Sequence, residues 1–251
     1  MSPMTDYDPA AYGEAWSRDY DRLYQSRDDP EAVVAALGGL TAGRSLLELG
    51  IGTGRLAIPL HDAGWRVVGV EASAAMVAEL SRRAGERAIP VHEGDMRTVR
   101  LADRFDVALL AFSTLFLLPD QQAQIECLAT AADHLAPDGL LVVEAFVPDH
   151  TRWTDGKRLA LSRWLSDGIE IEAARHDRAA QTIDVRYLSV GAATGIRPLR
   201  LRYAWPAEID LMARLAGLRR VERWSAWTGA TFDAASPGHV SLYRRAVSGD
   251  A

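Results

Sequence analysis

Seven consecutive residues, Glu48-Leu49-Gly50-Ile51-Gly52-Thr53-Gly54, set three glycines at alternate positions behind a carboxylate. Glycine lets backbone approach a ligand closely, and amides exposed where such a turn opens a helix favour an anionic or polar group. Further on, Val67-Val68-Gly69-Val70-Glu71 is an apolar run ending in a second carboxylate. If both runs are neighbouring strands, Glu71 stands beside the glycine turn and can accept hydrogen bonds from two vicinal hydroxyls, as a ribose offers. A third run ends in Glu93-Gly94-Asp95-Met96, where Asp95 can accept a bond from an adenine amine and Met96 can pack on the ring. Taken singly, each is also what a tight turn or a turn-forming acid looks like. Their succession points to a nucleotide-like cofactor.

These residues need a scaffold that brings strand ends together. Segments rich in Ile, Val and Leu alternate with amphipathic ones, the rhythm of a parallel sheet covered by helices on both faces. Strands are expected at Ser45–Leu49, Arg66–Glu71, Ile89–His92, Phe105–Ala111 and Leu140–Phe146, with helices at Gly54–Ala63, Ala74–Ala84 and Asp120–Leu135. The turn Ala136-Pro137-Asp138-Gly139 is read as the stop signal of the last helix. Ahead of them, Pro9–Tyr24 and Pro30–Leu37 read as helices placed to lie across the mouth of the sheet.

After Phe146 the rhythm becomes strand after strand, at Ile169–Arg175, Thr182–Val190 and Leu199–Trp205, an antiparallel meander. Pro206 then opens a helix to Leu215, and two strands, Arg220–Trp227 and His239–Ala246, close the chain. The expected fold is α/β, a doubly wound and mostly parallel sheet with an antiparallel β insertion after the fifth strand. Its organisation is a helical lid over 1–38, a cofactor domain over 39–150 and 206–248, and an inserted subdomain over 151–205.

Composition narrows the partners. The net charge of -6 argues against a general attraction to nucleic acid. No apolar run reaches the length of a membrane span, and the N-terminal residues lack the pattern of a secretory signal, so a cytoplasmic location is expected. The single cysteine, Cys127, rules out an internal disulfide and reads as a small core residue. No metal site is expected.

Glu48–Gly54, Glu71, Asp95-Met96 and the Pro137-Asp138-Gly139 turn together resemble the class I S-adenosylmethionine-dependent methyltransferase family, in order and spacing, over about Gly38–Val147. Nicotinamide-binding Rossmann proteins are the rival, but their G-x-G-x-x-G fingerprint puts two residues before the last glycine, whereas Thr53 alone precedes Gly54 here. The resemblance implies that Glu48 sits near the methionine amino end of S-adenosyl-L-methionine, that Gly50 and Gly52 contact it through backbone, and that Glu71 holds the ribose. It further implies that Asp95 and Met96 meet the adenine, and that Ala111 at the end of the fourth strand offers a carbonyl to the amino group. The stretch from Tyr20 to Arg27 resembles the first helices of amino-sugar N-methyltransferases of antibiotic pathways, where Tyr20 and Tyr24 would cover the methionine carboxylate. The same tyrosines also read as an i,i+4 packing pair.

General bases are harder to find. Glu144, His150, His176 and His239 lie near strand ends or turns and are candidates to deprotonate an acceptor. The insertion Thr151–Tyr203 carries ten Arg and Lys against six Asp and Glu, with Trp153, Trp164, Tyr187 and Tyr203. Such a surface can be an acceptor-binding wall, a solvated sheet or the contact of a homodimer. The leading expectation is methyl transfer to oxygen or nitrogen of a small metabolite such as a sugar or natural-product intermediate. A protein or RNA methyltransferase, and an S-adenosylmethionine-binding protein that does not methylate, are the alternatives.

Overall fold

The computed structural model describes residues 7–24, 30–191 and 194–246. Three helices, α1 (Ala11–Trp16), α2 (Tyr20–Tyr24) and α3 (Pro30–Leu40), precede the sheet. Then β1 (Ser45–Leu49), α4 (Ala57–Asp62), β2 (Arg66–Glu71), α5 (Ala74–Ala84) and β3 (Val91–Glu93) alternate. They are followed by β4 (Phe105–Leu110), α6 (Gln121–Asp133) and β5 (Leu135–Phe146). Next come β6 (Lys157–Leu165), β7 (Gly168–Asp177), β8 (Thr182–Gly191) and β9 (Gly195–Arg202), and then α7 (Pro206–Leu215), β10 (Leu218–Trp224) and β11 (Gly238–Arg245).

The larger sheet has seven strands in the order β10-β11-β5-β4-β1-β2-β3, and in it β11 runs antiparallel to both its neighbours. The parallel strands are apolar on both faces because helices cover both. Leu47 and Leu49 face the side of Leu128 on α6 and Met212 on α7, while Leu46, Val67 and Val107 face Leu37 on α3 and Leu60 on α4. The smaller sheet is an antiparallel meander, β6-β7-β8-β9, inserted between β5 and α7.

Local chemistry accounts for most departures from the sequence reading. The helix expected from Gly54 starts at Ala57, because Gly54 itself has a φ of 78° and cannot continue a right-handed turn. The third strand covers Val91–Glu93 rather than Ile89–His92, and Pro90, which has no N–H to give, contributes only its carbonyl to Gly69 N–H. The stop at Ala136–Gly139 falls inside β5: Leu135 already pairs with Phe105, and the extra residues are absorbed as a register shift before Leu140 meets Val107. Gly139 is needed there, since a Cβ would lie 2.8 Å from the Phe105 carbonyl oxygen.

The insertion has four strands, not three. β6 was not expected because its buried-side positions hold Arg158, Ala160 and Arg163, so apolarity does not mark it as half-buried. The last strand of the meander ends at Arg202, and Pro198 is tolerated in β9 because that strand is an edge.

Candidate active site

A cavity of about 920 Å³ opens at the carboxyl ends of β1, β2, β4 and β5 and is closed above by α1, α2 and the meander. Gly50 and Gly52, with φ of 76° and 57°, turn the chain sharply after β1. A Cβ on Gly50 would meet Thr114 Cγ2 at 2.6 Å, whereas Gly52 faces open space on the cavity side. Glu71 ends β2 beside this turn and accepts three backbone N–H groups, from Gly52 (2.9 Å), Ala72 (3.0 Å) and Ser73 (2.9 Å). Burial nonetheless raises its carboxyl above the ordinary carboxylate range, against the pull of those amides.

Glu48 is buried beneath the turn, and its Oε2 has no hydrogen-bond partner in the protein. Burial pushes its carboxyl up to about 8, with Arg55 pulling down and Glu71 pushing up. Such a group stores a demand for a cationic donor. Arg55 also hydrogen-bonds Tyr20 and lies 5.2 Å from the centre of the Phe112 ring, so the buried carboxylate and the guanidinium stand behind the aromatic side chains, Tyr20 and Phe112, that line this part of the cavity.

The first helices are pinned onto this end. Gly13 approaches α5 so closely that a Cβ would lie 2.3 Å from Ser73 Cβ, and the Ser73 hydroxyl donates to Glu14 Oε1 at 2.8 Å. Asp21 accepts from Thr53 Oγ1 (2.7 Å) in the glycine turn and pairs with Arg83 (3.0 Å). Trp16 Nε1 donates to the Pro198 carbonyl at 2.9 Å, joining α1 to the meander. As a result Tyr12, Tyr20 and Tyr24 line the cavity, Tyr24 standing 5.2 Å from Phe112.

At the far end, Gly94 and Met96 line the wall with Tyr7. Asp95 stands beside it: Oδ1 accepts from Arg97 N and Oδ2 from the Arg97 guanidinium at 2.7 Å, and that guanidinium covers the Tyr7 ring at 4.5 Å. Ala111 is buried behind Phe112, and its carbonyl accepts from Thr114 N–H at 3.0 Å.

The stretch that carries this turn lies within a match to proteins of known activity. Residues 46–139 match the family described as Methyltransferase domain. Over 234 residues the chain is 31% identical to the cypemycin N-terminal methyltransferase of a Streptomyces species, covering 91% of this chain and 95% of that one. The chain belongs to the S-adenosylmethionine-dependent methyltransferases. The structure of the CcbJ methyltransferase from Streptomyces caelestis superposes with a TM-score of 0.89 at 37% identity, over 96% of this chain and 100% of that one. The dTDP-3-amino-3,6-dideoxy-alpha-D-glucopyranose N,N-dimethyltransferase of Streptomyces fradiae is 34% identical over 187 residues, 70% of this chain and 71% of that one.

The residues fit S-adenosylmethionine on the chain's own terms. The orphaned Glu48 oxygen suits the cofactor's ammonium, and the open side of Gly52 and the Glu71 carboxylate suit its ribose. Phe112 and Ser113, with φ of 51° and 59°, form a left-handed turn after β4 that the sequence reading did not single out. Glu144 holds this turn, its Oε2 accepting Phe112 N–H at 2.7 Å and its carbonyl accepting Ser113 N–H at 2.9 Å.

Of the four base candidates, Glu144 and His239 line the methyltransferase cavity. His150 and His176 instead converge on the Tyr203 hydroxyl, at 3.1 and 2.8 Å, beneath the root of the meander. His239 is buried, with Nδ1 2.8 Å from Ser241 Oγ, and burial together with Arg223 lowers its pKa to about 3. It is neutral throughout the physiological range. From the insertion, Trp153 and Tyr187 reach the cavity wall, Tyr203 is a core residue, and Trp164 points away from the site. Among the described residues no group of three or more His, Cys, Asp or Glu is placed to hold a metal, and no helix is long and apolar enough to cross a membrane.

Glu48 gives a pH signature. The unfolded chain releases this proton near 4.5 and the native protein near 8, so between those values the native state binds more protons and its stability falls as pH rises. Melting of the ligand-free enzyme is therefore expected to drop from pH about 5 to about 8. Glu48→Gln should flatten that slope, and an identical slope in the variant would remove Glu48 as its source.

Proposed function

We propose that this methyltransferase methylates an amine nitrogen of a small natural-product or sugar intermediate. The observation that carries the reading is similarity, over 91% and 70% of the chain, to relatives named for an N-terminus and for N,N-dimethylation of an amino sugar. The cavity wall supports it. Glu144 is engaged by Phe112 N–H, and His239, with its pKa lowered to about 3, is too weak a base to take a proton from a hydroxyl, so neither of these two wall candidates is poised to ionise one near neutral pH. An amine needs only to shed its ammonium proton before it attacks, and solvent can take that proton.

S-adenosylmethionine supplies a methyl group already activated on its sulfonium, so in-line placement of the nucleophile is the protein's main contribution. In the proposed arrangement Glu48, Gly50, Gly52 and Glu71 hold the amino and ribose parts. Met96 packs at the adenine, with Asp95 ordering Arg97 and Tyr7 beside it. Tyr20 and Tyr24 cover the methionine part, and the backbone after Ala111 shapes the floor through Phe112. Tyr187 and Leu199 of the meander, with Trp153 just ahead of it, form the opposite wall and select the acceptor. The organisation follows: residues 1–38 as lid, 39–150 and 206–248 as cofactor domain, and 151–205 as acceptor wall. A cytoplasmic enzyme acting on small molecules, not on nucleic acid or at a membrane, accords with the net charge of -6 and the buried Cys127.

Incubation with S-adenosylmethionine and a panel of amino sugars and other amine metabolites, paired with their hydroxyl analogues, tests the acceptor by mass spectrometry. Transfer to amines alone is expected. Transfer to hydroxyls alone refutes the nitrogen assignment, and tight cofactor binding with no transfer to any acceptor favours the non-methylating alternative.

The lid role is separately testable, because Arg18 and Arg22 are exposed on the segment that joins cavity to solvent. Tryptic cleavage after these residues should slow when S-adenosylhomocysteine saturates the enzyme. Indifference to the ligand would return α1 and α2 to a purely structural part.

A further inference from the structure

The meander leaves the main sheet through the linker 147–156 and returns to it through 202–206, and the two segments are held differently. The return is fixed by buried polar contacts: Arg202 donates to Gln124 Oε1 of α6 at 2.7 Å and to Glu208 Oε1 of α7 at 2.6 Å, and Tyr203 N–H donates to the Gln181 carbonyl at 2.9 Å. The outgoing linker carries Trp153 to the cavity wall. Its backbone is held near its ends, where Val147 N–H donates to the Pro237 carbonyl and the Gly156 carbonyl accepts His176 N–H, both at 2.8 Å. Between them, His150 ties the linker to the fixed return, its Nε2 lying 3.1 Å from the Tyr203 hydroxyl and its ring meeting Trp205 at 5.3 Å. His176, near the end of β7, reaches the same hydroxyl at 2.8 Å, and Trp153 packs over the His176 ring with centroids 4.8 Å apart. One hydroxyl thus joins the outgoing linker, the return and the interior of the meander.

We propose that the Tyr203 hydroxyl, with His150 and His176, is a clasp that holds Trp153 against the acceptor side of the cavity and opens on protonation. The inference rests on the reading of Trp153 as part of the acceptor wall. Proton counting makes the clasp sensitive, because Tyr203 is buried and its hydroxyl has one hydrogen to give. His176 Nδ1 is buried without a partner, and a stranded N–H is rarer than a stranded lone pair, so the His176 proton sits on Nε2 and is donated to the Tyr203 oxygen. Tyr203 then donates its own hydrogen to His150 Nε2. A proton added to His150 turns that acceptor into a second donor and strands the Tyr203 hydrogen. A proton added to His176 creates an N–H at Nδ1, where nothing accepts it. Either event costs the clasp one buried hydrogen bond.

The surrounding charges set the direction. Burial lowers the His176 pKa below the ordinary histidine value, and His150 and Arg178 lower it further against the pull of Asp177. Burial raises Tyr203, with Arg178 and Arg202 opposed by Glu208 and Asp177. Asp149, beside His150, is exposed and spends its Oδ1 on the N–H and hydroxyl of Thr151. The native state therefore favours the neutral His176, so the clasp's contribution is present above the ordinary histidine range and is lost as pH falls through the lowered value. Glu71 and Gly52 stand on other elements, so opening the clasp releases the acceptor wall and leaves the ribose subsite in place.

Fluorine NMR on the full chain labelled with 5-fluorotryptophan is the test, the Trp153 signal being assigned by its loss in Trp153→Phe. In the wild type this signal should shift between about pH 8 and about pH 5. Tyr203→Phe keeps the ring and removes the hydroxyl, so at about pH 8 its Trp153 signal should already stand at the wild-type low-pH position and stay there on acidification. His150→Gln, whose amide oxygen still accepts the Tyr203 hydrogen, should hold the wild-type position at the higher pH. At that fixed pH, Tyr203→Phe should raise KM for an amine methylated in the panel by about fivefold or more, with kcat and S-adenosylhomocysteine affinity within about twofold of wild type. A Trp153 signal that titrates in Tyr203→Phe as it does in the wild type reports only the charge of the nearby imidazole and overturns the clasp, as does an unchanged KM. The fluorine signals need no acceptor, so a panel without a methylated amine counts against the nitrogen reading while the Trp153 titration still decides the clasp.

Discussion

Glu71→Ala weakens S-adenosylhomocysteine binding by about 1.5–3 kcal/mol, roughly ten- to more than a hundredfold, the cost of removing a charged acceptor from a ligand's hydroxyl groups. Sequence reasoning alone leaves folding untouched, because a strand-end acid is expected to face solvent. The structure changes that expectation. Glu71 accepts the N–H groups of Gly52, Ala72 and Ser73, so alanine leaves three amides at the cavity floor without their acceptor. A fall in melting temperature therefore accompanies the loss of affinity, with Glu71→Gln intermediate in both. Titration calorimetry and thermal melts of the same preparations read the two effects. Unchanged affinity in the alanine variant would detach Glu71 from the ribose altogether.

The second large effect lies away from the cofactor. Glu170 is 1% exposed and is held by Arg197, by Arg163 Nε at 2.9 Å and by Ser162 Oγ at 3.1 Å, while Arg197 also reaches Asp19 at 3.1 Å and stacks on Trp16 at 5.3 Å. Arg197→Ala strips one cation from a buried carboxylate and cuts the tie between the meander and the first helices. Breaking a buried pair costs about 3–5 kcal/mol, and the lower end applies because Arg163 and Ser162 still reach Glu170. For a chain of this size, that is a drop of about 6–12 °C in melting temperature. Because α1 and α2 lose an anchor, tryptic cleavage at Arg18 and Arg22 should also accelerate without ligand. Arg197→Lys should recover part of the stability and little of the anchoring, since an ammonium cannot reach Glu170, Asp19 and the Trp16 face together. Wild-type melting in Arg197→Ala would show that the network contributes nothing.

Much of the cofactor half was legible because it is locally encoded. Glycines at alternate positions announce positive φ, and Gly50, Gly52 and Gly54 all have it. β1 and β2 have the expected bounds, as do α5 and α7. The match to a methyltransferase family covers residues 46–139, which hold β2, α5 and all of β1 but Ser45. The acceptor half was less legible for a physical reason. Nothing local told Glu144 to hold Phe112 N–H or sent His150 and His176 to one tyrosine hydroxyl, since those contacts join residues 32, 53 and 27 positions apart.

The sequence by itself determined the α/β alternation, the glycine turn, the strand-end carboxylate and a β-rich insertion after the fifth strand, all consequences of residue type and a spacing of a few positions. Tertiary structure alone decided which of two faces each alternating strand would bury. A period of two assigns residues to opposite faces without saying which face meets the core. Tyr187 and Trp164 look equivalent along the chain, yet the docking of Trp16 and the enclosure of Glu170 turn one side of the meander inward. That choice places Tyr187 at the cavity and leaves Trp164 on the outer face, because only the packed neighbours fix the phase of the alternation.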